Sequence, residues 1–528
     1  MVGWQDVVLS FLPPAKRTML ARERLLAYRL PLILAIQSAL TLRLNDIASD
    51  DEGLYIHGGH VVIAHLLHGG TANAALLRFY GSFFSGAPNL YPVAAAVLDS
   101  AGGLLLVRIF SLLLMLIATW SVHRIGRYLF TENVGLWAAL VFALTGSVQY
   151  IGKYATFDSP CLTLLAVAAA SGITRRSVSS AVLAGILLAL AAATKYVGLA
   201  LAPLVLLLIF ITDVTAGSRW QSDFLRAVLR SGMAALVFAG LLIAGYRLWG
   251  PGIADGLKFT TTSRQALDPG STWYLMESLA FDVGLAFTLA IVAILLMLRR
   301  RAWDKAATTA ILLIAGSVVQ ASSVRIHELT SLDKHTAFSG LFLAVPAAVA
   351  LDWALGKHGR ATVAALAVLW LLLIDGMWRS SYQYSWPSSI TGPISEIEAL
   401  NISGRYFSFD ADTGAYYTQH DQGIDWSPSA EAYSIFTQGN GKIVETEKGH
   451  EFTGFLFQPS GLSAQNRSEL QLLERLLAAD NYYFEVATFR VSPYVKAKWE
   501  LWIHYPPGYH GSEGSRHGTD RAGRIRSG

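Results

Sequence analysis

Charged residues are scarce in this chain of 528 residues: they make up 15% of it, whereas hydrophobic residues make up 53%. Soluble domains carry about 25% charged residues, so the deficit excludes an ordinary soluble protein. The mean hydropathy of +0.42 agrees with this. The apolar residues form repeated runs of roughly 20, the length that crosses a hydrocarbon core. The sequence therefore predicts a polytopic α-helical membrane protein.

Cysteine is almost absent. The only one, Cys161, lies inside an apolar run, which excludes an intramolecular disulfide. A Gly-rich loop that would cradle a nucleotide phosphate is also missing. We expect no required cofactor and no nucleic-acid partner. The first apolar run follows basic residues and is not followed by a small-residue cleavage site, so we interpret it as a retained transmembrane helix, with a signal peptide as the alternative.

Alternate connections between the apolar runs are rich in Lys and Arg, in stretches such as "KRTMLARER", "HRIGR" and "RRRAWDK". The positive-inside rule places these connections in the cytoplasm. We therefore predict a multi-pass plasma-membrane protein with a cytoplasmic amino terminus, an extracytoplasmic carboxyl terminus and about eleven membrane helices. Their predicted positions are near residues 25–43, 98–121, 133–151, 157–173, 178–194, 197–212, 226–249, 274–298, 306–323, 337–355 and 361–379.

Composition divides the chain into four parts. Residues 1–24 are predicted to be a cytoplasmic amino terminus, and residues 25–379 a transmembrane domain whose first external loop spans 44–97. Between 380 and 510 acids outnumber bases and stretches such as "YYFEVATF" alternate as strands do. We predict a small extracytoplasmic α/β domain there. Residues 511–528 are rich in Gly, Ser and Arg and are predicted to be disordered.

The first external loop combines acids with paired histidines in "NDIASDDEGLYIHGGH". A solvated acidic loop would explain the acids but not the histidines that follow them. On a helical wheel the segment that follows has a polar and an apolar face. The polar face holds His57, His60, His65 and His68, and the apolar face holds Val62, Ile63, Leu66 and Leu67. This pattern predicts a helix along the membrane interface. A metal site of Asp51, Glu52, His57 and His60 is an alternative to a hydrogen-bonding surface for a phosphate or sugar.

At these residues the chain resembles the GT-C superfamily of membrane glycosyltransferases. The stretch Asp51-Glu52-Gly53-Leu54-Tyr55 matches their first-loop pattern, especially that of family 39, the protein O-mannosyltransferases and the lipid A aminoarabinose transferases. Four more stretches agree in order and spacing: "SGAPNLYPVAAAVLDSAGGLLLVRIFSLL", "GKYATFDSPCLTLLA", "AAATKYVGLALAP" and "HELTSLDKHTAFSGLFLAVPAA". The resemblance covers roughly residues 25–380. It implies a GT-C fold for the transmembrane domain, to which the composition after residue 380 adds the small extracytoplasmic α/β domain.

The resemblance also implies roles for particular residues. Asp51 matches the acid that acts as general base, and Asp158 matches a second acid of the same cavity. Many relatives have a phosphate-binding lysine where this chain has Ala87-Pro88-Asn89, so another cation must hold the phosphate or the donor is held differently. Arg108 lies inside a membrane segment, where it could pair with an acid or act in catalysis. The other predicted substrate-binding residues are Glu52, Tyr55, His60, Tyr91, Lys153, Tyr154, Lys195, Arg264, Lys334 and His335.

These expectations combine into one hypothesis. A sugar would pass from a polyprenyl-phosphate donor to a glycan, lipid or protein hydroxyl on the external face, with inversion at the anomeric carbon. A divalent metal is an optional addition. The alternatives are a lipid or solute transporter or flippase, a surface-polysaccharide polymerase or ligase, and a non-catalytic sensor.

Overall fold

The structure is a computed structural model that describes residues 28–41, 47–69, 90–215, 220–258, 271–325, 327, 332–357, 359–384, 390–421, 423–458, 464–492 and 495–505. The predictions for the amino terminus, the tail, Arg264 and the segment from Ala87 to Asn89 lie outside the described residues. Within these ranges, helices precede a small sheet domain.

The part of the chain described up to residue 384 consists of helices. They are α1 (Arg29–Thr41), α2 (Asp50–His68), α3 (Leu90–Leu129), α4 (Glu132–Leu144), α5 (Gly146–Lys153), α6 (Asp158–Thr174), α7 (Val178–Thr194), α8 (Tyr196–Thr215), α9 (Trp220–Trp249), α10 (Pro251–Lys258), α11 (Thr272–Arg299), α12 (Trp303–Arg325), α13 (Leu332–Leu355) and α14 (Arg360–Tyr384).

Seven of these helices are long and apolar enough to cross a membrane, namely α3, α8, α9 and α11 to α14. An eighth span results if α4 and α5, which are bent by 65°, count as one. Helices α1, α6 and α7 are apolar but shorter. A helical membrane protein is therefore what the structure shows, whereas the count of eleven spans stays a prediction.

Helix α3 contains a kink at Gly102 and Gly103, where the backbone leaves helical geometry. Gly103 has a φ of 65°, a conformation that glycine adopts without steric cost. The segment before the kink packs against α2, because the backbone carbonyl of Pro92 occupies the place where Gly59 would carry a side chain. The kink thus turns the first part of α3 toward the helix that bears the acids.

The core of the helical part runs through α3 to α8 and α13. Its large buried side chains include Phe142, Tyr154, Phe338 and Phe342, none more than 2% exposed. Apolar side chains of the outer helices stay exposed, for example Leu236 and Trp370 at 69% and 63%. In a membrane protein such side chains face lipid, where apolar exposure is favourable.

The carboxyl-terminal part folds into a mixed α/β domain. Its elements are α15 (Thr391–Leu400), β1 (Gly404–Phe407), α16 (Ala411–Tyr417), β2 (Ile424–Trp426), α17 (Ser429–Thr437), α18 (Asn440–Lys448), β3 (Gly454–Phe457), α19 (Ala464–Ala479), β4 (Tyr483–Ser492) and β5 (Val495–His504). The strand order is β2-β1-β3-β5-β4, with β2, β1 and β3 parallel and β5 antiparallel to both β3 and β4.

Side chains alternate across this sheet, as the pleat requires. Phe407 points into a core with α17, α18 and α19, and the neighbouring Tyr406 points into a second core with α15 and α16. Trp426 belongs to the second core. The domain is therefore a three-layer sandwich.

Candidate active site

Helix α2 begins at the acidic stretch that stands out in the sequence. Asp50, Asp51 and Glu52 form its first turn after the N-cap residue Ser49. Acids are favourable there because the helix dipole leaves partial positive charge at the amino end. The backbone N–H of Ser49 donates to Glu52 Oε2 at 2.9 Å, one half of a capping box. The predicted helix is present but begins at Asp50, before the histidines.

Glu52 lies at the centre of a buried polar cluster and is 0% exposed. Arg108 donates to its two oxygens, from Nε at 2.9 Å and from Nη2 at 2.7 Å. The backbone N–H of Ala155 donates to Oε1 at 2.7 Å. The prediction that Arg108 pairs with an acid is confirmed. Because Glu52 ties α2, α3 and the segment before α6 together, its contacts are structural.

Asp51 projects from the same turn but remains accessible. Its side chain is 35% exposed, and its Oδ2 contacts the Nζ of Lys334 at the start of α13. Tyr55 Oη, one turn further along α2, lies 3.4 Å from Asp51 Oδ1. The structure thus joins an accessible carboxylate to a largely buried ammonium group, whose side chain is 9% exposed.

Asp158 forms a second pair of this kind. It is the first residue of α6, is 0% exposed, and accepts a hydrogen bond from Lys195 Nζ at 2.5 Å. Its other oxygen, Oδ2, is buried and has no hydrogen-bond partner among the described residues. A buried acceptor without a partner is unfavourable, so this oxygen is a natural place for a water, a cation or a substrate hydroxyl.

Aromatic rings connect the two pairs. The ring centroid of Tyr55 lies 4.4 Å from that of Phe157, the residue before Asp158. Lys195 Nζ lies 4.9 Å from the centroid of Phe157 and 5.8 Å from that of Phe338. Four of the predicted site residues, Asp51, Tyr55, Asp158 and Lys195, are therefore brought into one continuous set of contacts, and Lys334 joins it through Asp51.

Other predicted site residues lie beside this set. Tyr91 is buried with its ring edge-on to Tyr55, at a centroid distance of 6.1 Å. Lys153 is 2% exposed, with its Nζ 5.3 Å from the ring of the buried Tyr154. The guanidinium carbon of Arg108 lies 5.6 Å from the ring centroid of Tyr154, which places this tyrosine next to the Glu52 cluster.

The predicted histidines make other contacts in the structure. His335 Nδ1 lies 3.0 Å from Ser323 Oγ on α12. His57 is largely buried, and burial together with the charge of His60 lowers its pKa to about 4. No group of three or more His, Cys, Asp or Glu side chains in the described ranges could hold a metal ion. Arg108 and two backbone amides occupy the oxygens of Glu52 that such a site would use.

A contact between α2, α3 and the α/β domain was not predicted from the sequence. His60 Nε2 lies 2.9 Å from Asp99 Oδ2, and Tyr416 Oη of α16 donates to Asp99 Oδ1 at 2.8 Å. Gly53 of α2 packs directly on the backbone of α16 at Asp412. Tyr416 thus attaches the domain to α3, and Tyr417 attaches it to the segment before α2, where Tyr417 Oη accepts from the N–H of Ala48 at 2.9 Å.

An apolar groove of about 770 Å³ opens beside the second ion pair. It lies between α7, α8, α9 and α10 and is lined by Leu190, Tyr196, Leu242 and Ile253, among others. Tyr196 directly follows Lys195, and its Oη donates to the carbonyl of Ile253 at 2.8 Å. This apolar groove therefore begins next to Lys195, which contacts the buried Asp158.

The helical membrane layer, the first-loop helix that begins with acids and the terminal α/β domain together define a GT-C type fold. This confirms the resemblance seen in the sequence. Residues 95–243 match the family model described as dolichyl-phosphate-mannose-protein mannosyltransferase. No curated protein sequence matches this chain significantly.

The solved structures similar to this chain include the following two. One is the oligosaccharyltransferase AglB from Archaeoglobus fulgidus, in complex with an inhibitory peptide and a dolichol-phosphate. Its TM-score is 0.56 at 11% identity, over 88% of this chain and 73% of that one. The other is ArnT from Cupriavidus metallidurans bound to undecaprenyl phosphate, with a TM-score of 0.55 at 13% identity, over 90% and 97%. These similarities establish the fold.

Proposed function

We propose that this protein transfers a sugar from a polyprenyl-phosphate donor to an acceptor hydroxyl, with Asp51 as the general base. The observation that carries the proposal is the accessible carboxylate of Asp51 beside Lys334, joined through aromatic rings to the buried pair of Asp158 and Lys195. Glycosyl transfer needs a base for the acceptor and positive charge for the departing phosphate. This set of residues supplies both.

Each residue has a defined role in the proposed reaction. Asp51 Oδ takes the proton of the acceptor hydroxyl as the new bond forms at the anomeric carbon, while the bond to the lipid phosphate breaks on the opposite side. The phosphate leaves with the bond electrons and is stabilised by Lys334 or Lys195, which replace the lysine that many relatives carry near Ala87 to Asn89. The unpartnered Oδ2 of Asp158 orients the acceptor or a water.

The apolar groove is suited to the lipid part of the donor. Its lining is predominantly apolar, and it begins at Tyr196, next to one of the two site lysines. Two of the similar solved structures contain a polyprenyl-type phosphate, dolichol-phosphate in AglB and undecaprenyl phosphate in ArnT. The acceptor (glycan, lipid or protein) and the kind of sugar, hexose or pentose, are left open by this proposal.

The orientation in the membrane follows from charge. Asp158 begins α6, whereas Arg175 and Arg176 follow its end. Because basic connections stay in the cytoplasm, we propose that Asp51, Asp158 and the α/β domain face the extracytoplasmic side of the plasma membrane. A donor carried by a membrane lipid is available on that side.

The test compares membranes of a strain that lacks the gene with membranes complemented by wild type, D51N or D50N. Mass spectrometry of lipids and glycans identifies the product. Loss of a general base is expected to lower transfer by roughly 10²- to 10⁴-fold, so D51N should abolish the product at equal protein level. D50N removes a charge of the same sign from the same helical turn, and membranes with this variant should still contain the product. Turnover by D51N would refute the role of Asp51, and transport without a covalent product would favour a transporter.

A further inference from the structure

A second polar cavity lies at the far ends of the helices that carry the candidate site. Helix α6 begins at Asp158, and its 17 residues span about 25 Å at the usual helical rise. Helix α8 runs from Tyr196, next to the site, to Thr215. The ends of α3 and α8, the start of α12 and the residue Arg176 after α6 enclose a cavity of about 340 Å³, here called the distal pocket.

The distal pocket contains two cations and one acid. Arg176 Nε donates to Tyr128 Oη at 3.0 Å, and Lys305 Nζ lies 6.0 Å from the ring of Phe130. Neither cation is ion-paired with a carboxylate among the described residues. Asp304, directly before Lys305, also lines the cavity. The pocket therefore presents two cationic donors for an anionic group and one carboxylate acceptor for a cationic group.

A buried ion pair behind the pocket fixes its walls. Arg230 of α9 is 2% exposed and pairs with Asp213 near the end of α8. Arg230 Nη2 also donates to the carbonyl of Gly172 near the end of α6, at 2.7 Å. The ends of α6 and α8 are thereby held against α9. Asp213 contacts Arg230 directly and also interacts electrostatically with Arg176 of the pocket.

We propose that the distal pocket binds the headgroup of a membrane phospholipid that carries an ammonium group beside its phosphate, as phosphatidylethanolamine does. Arg176 and Lys305 supply charge-assisted donors for the phosphate, and Asp304 supplies an acceptor for the ammonium. Basic pockets between membrane helices are suited to lipid headgroups. Leu129 and Phe130 line the same cavity and offer apolar contact for the start of the acyl chains.

This assignment distinguishes among ligands that share a phosphate. An anionic headgroup without an ammonium, as in phosphatidylglycerol, leaves Asp304 without a cationic partner. Inorganic phosphate lacks the acyl chains that Leu129 and Phe130 contact. The site is independent of the proposed glycosyl transfer, because it lies at the opposite ends of α6 and α8.

The experiment uses the full chain, purified in detergent and stripped of lipid. Micelles containing phosphatidylethanolamine, micelles containing phosphatidylglycerol, or inorganic phosphate alone are added. The thermal unfolding midpoint and the lipid retained in native mass spectrometry are measured. Phosphatidylethanolamine should raise the midpoint most and phosphate should not raise it. R176Q/K305Q should weaken lipid retention, by about fivefold for each lost cation.

The matched control is K357Q/R360Q, which removes one exposed Lys and one exposed Arg from the connection between α13 and α14. It should retain lipid as wild type does. D304N should reduce the preference for phosphatidylethanolamine over phosphatidylglycerol. K305Q alone, a change at an exposed side chain, serves if the double variant does not fold. The proposal would be overturned if R176Q/K305Q and the control retained the same amount of lipid. It would also be overturned if phosphate alone raised the unfolding midpoint as much as phosphatidylethanolamine does.

Discussion

Removing Glu52 should be far more costly than removing an ordinary surface acid. Its carboxylate is 0% exposed and accepts hydrogen bonds from Arg108, Ser49 and Ala155. Glu52→Ala leaves the Arg108 guanidinium buried without its partner, and loss of one partner of a buried pair costs about 3–5 kcal/mol. Two backbone N–H groups lose their acceptor as well. We therefore expect the free energy of unfolding to fall by at least about 3 kcal/mol.

The assay is unfolding by SDS in mixed micelles, followed by tryptophan fluorescence. Glu445→Ala is the matched control, because Glu445 is 72% exposed and pairs with Lys442 only on the surface. Such pairs contribute about 0.3–0.5 kcal/mol. E52Q/R108M should recover part of the loss of E52Q, since it also removes the buried charge. Equal free energies of unfolding for E52A and E445A would contradict a structural role for Glu52.

Two further predictions concern α2. Gly53→Ala should weaken the attachment of the α/β domain and cost about 1–3 kcal/mol, because the added Cβ would lie 2.8 Å from Thr413 Cα; limited proteolysis of the domain measures this. Burial lowers the pKa of His57 to about 4, below its ordinary 6.5. Between these two pH values the histidine is protonated in the unfolded chain and neutral in the folded chain. Stability should therefore fall, by up to about 3 kcal/mol, as the pH is lowered from 6.5 toward 4, and less so in H57Q.

Each of these predictions has an internal control. Gly441 is an exposed residue of α18 with open space around it, so G441A should be neutral or slightly stabilising. Equal protease sensitivity of G53A and G441A would contradict the close packing at Gly53. For the pH dependence, H65Q changes an exposed histidine of the same helix and should keep the wild-type slope. An H57Q variant with an unchanged slope would show that another group titrates.

Much of the architecture could be predicted because it depends on local patterns. Apolar runs predict the membrane helices, and the acids at Asp50 to Glu52 mark the start of α2, as helix electrostatics favours. Helix interruptions were harder to predict. The run over 133–151 reads as one helix, but the structure breaks it at Thr145, and the kink at Gly102 and Gly103 divides α3. Periodicity alone does not distinguish a bent helix from a straight one.

The pairing of site residues could be predicted only in part. Lys334 and Lys195 were expected near the phosphate as cations of the outer rim, but their acidic partners lie 283 and 37 residues away in sequence. Only helix packing determines such pairs. Glu52 shows the same limit: its motif suggested a substrate contact, and the structure places it against Arg108. The link through Asp99 had no local signal.

The ion pair between Lys334 and Asp51 has a consequence for the order of substrate binding. A carboxylate held by an ammonium group is a weak proton acceptor, so in the empty site the proposed base is restrained. An arriving lipid phosphate competes for Lys334 and releases Asp51. Donor would then bind before acceptor, and water that enters an empty site would meet a restrained base. Loss of donor sugar to hydrolysis would be limited in the same way.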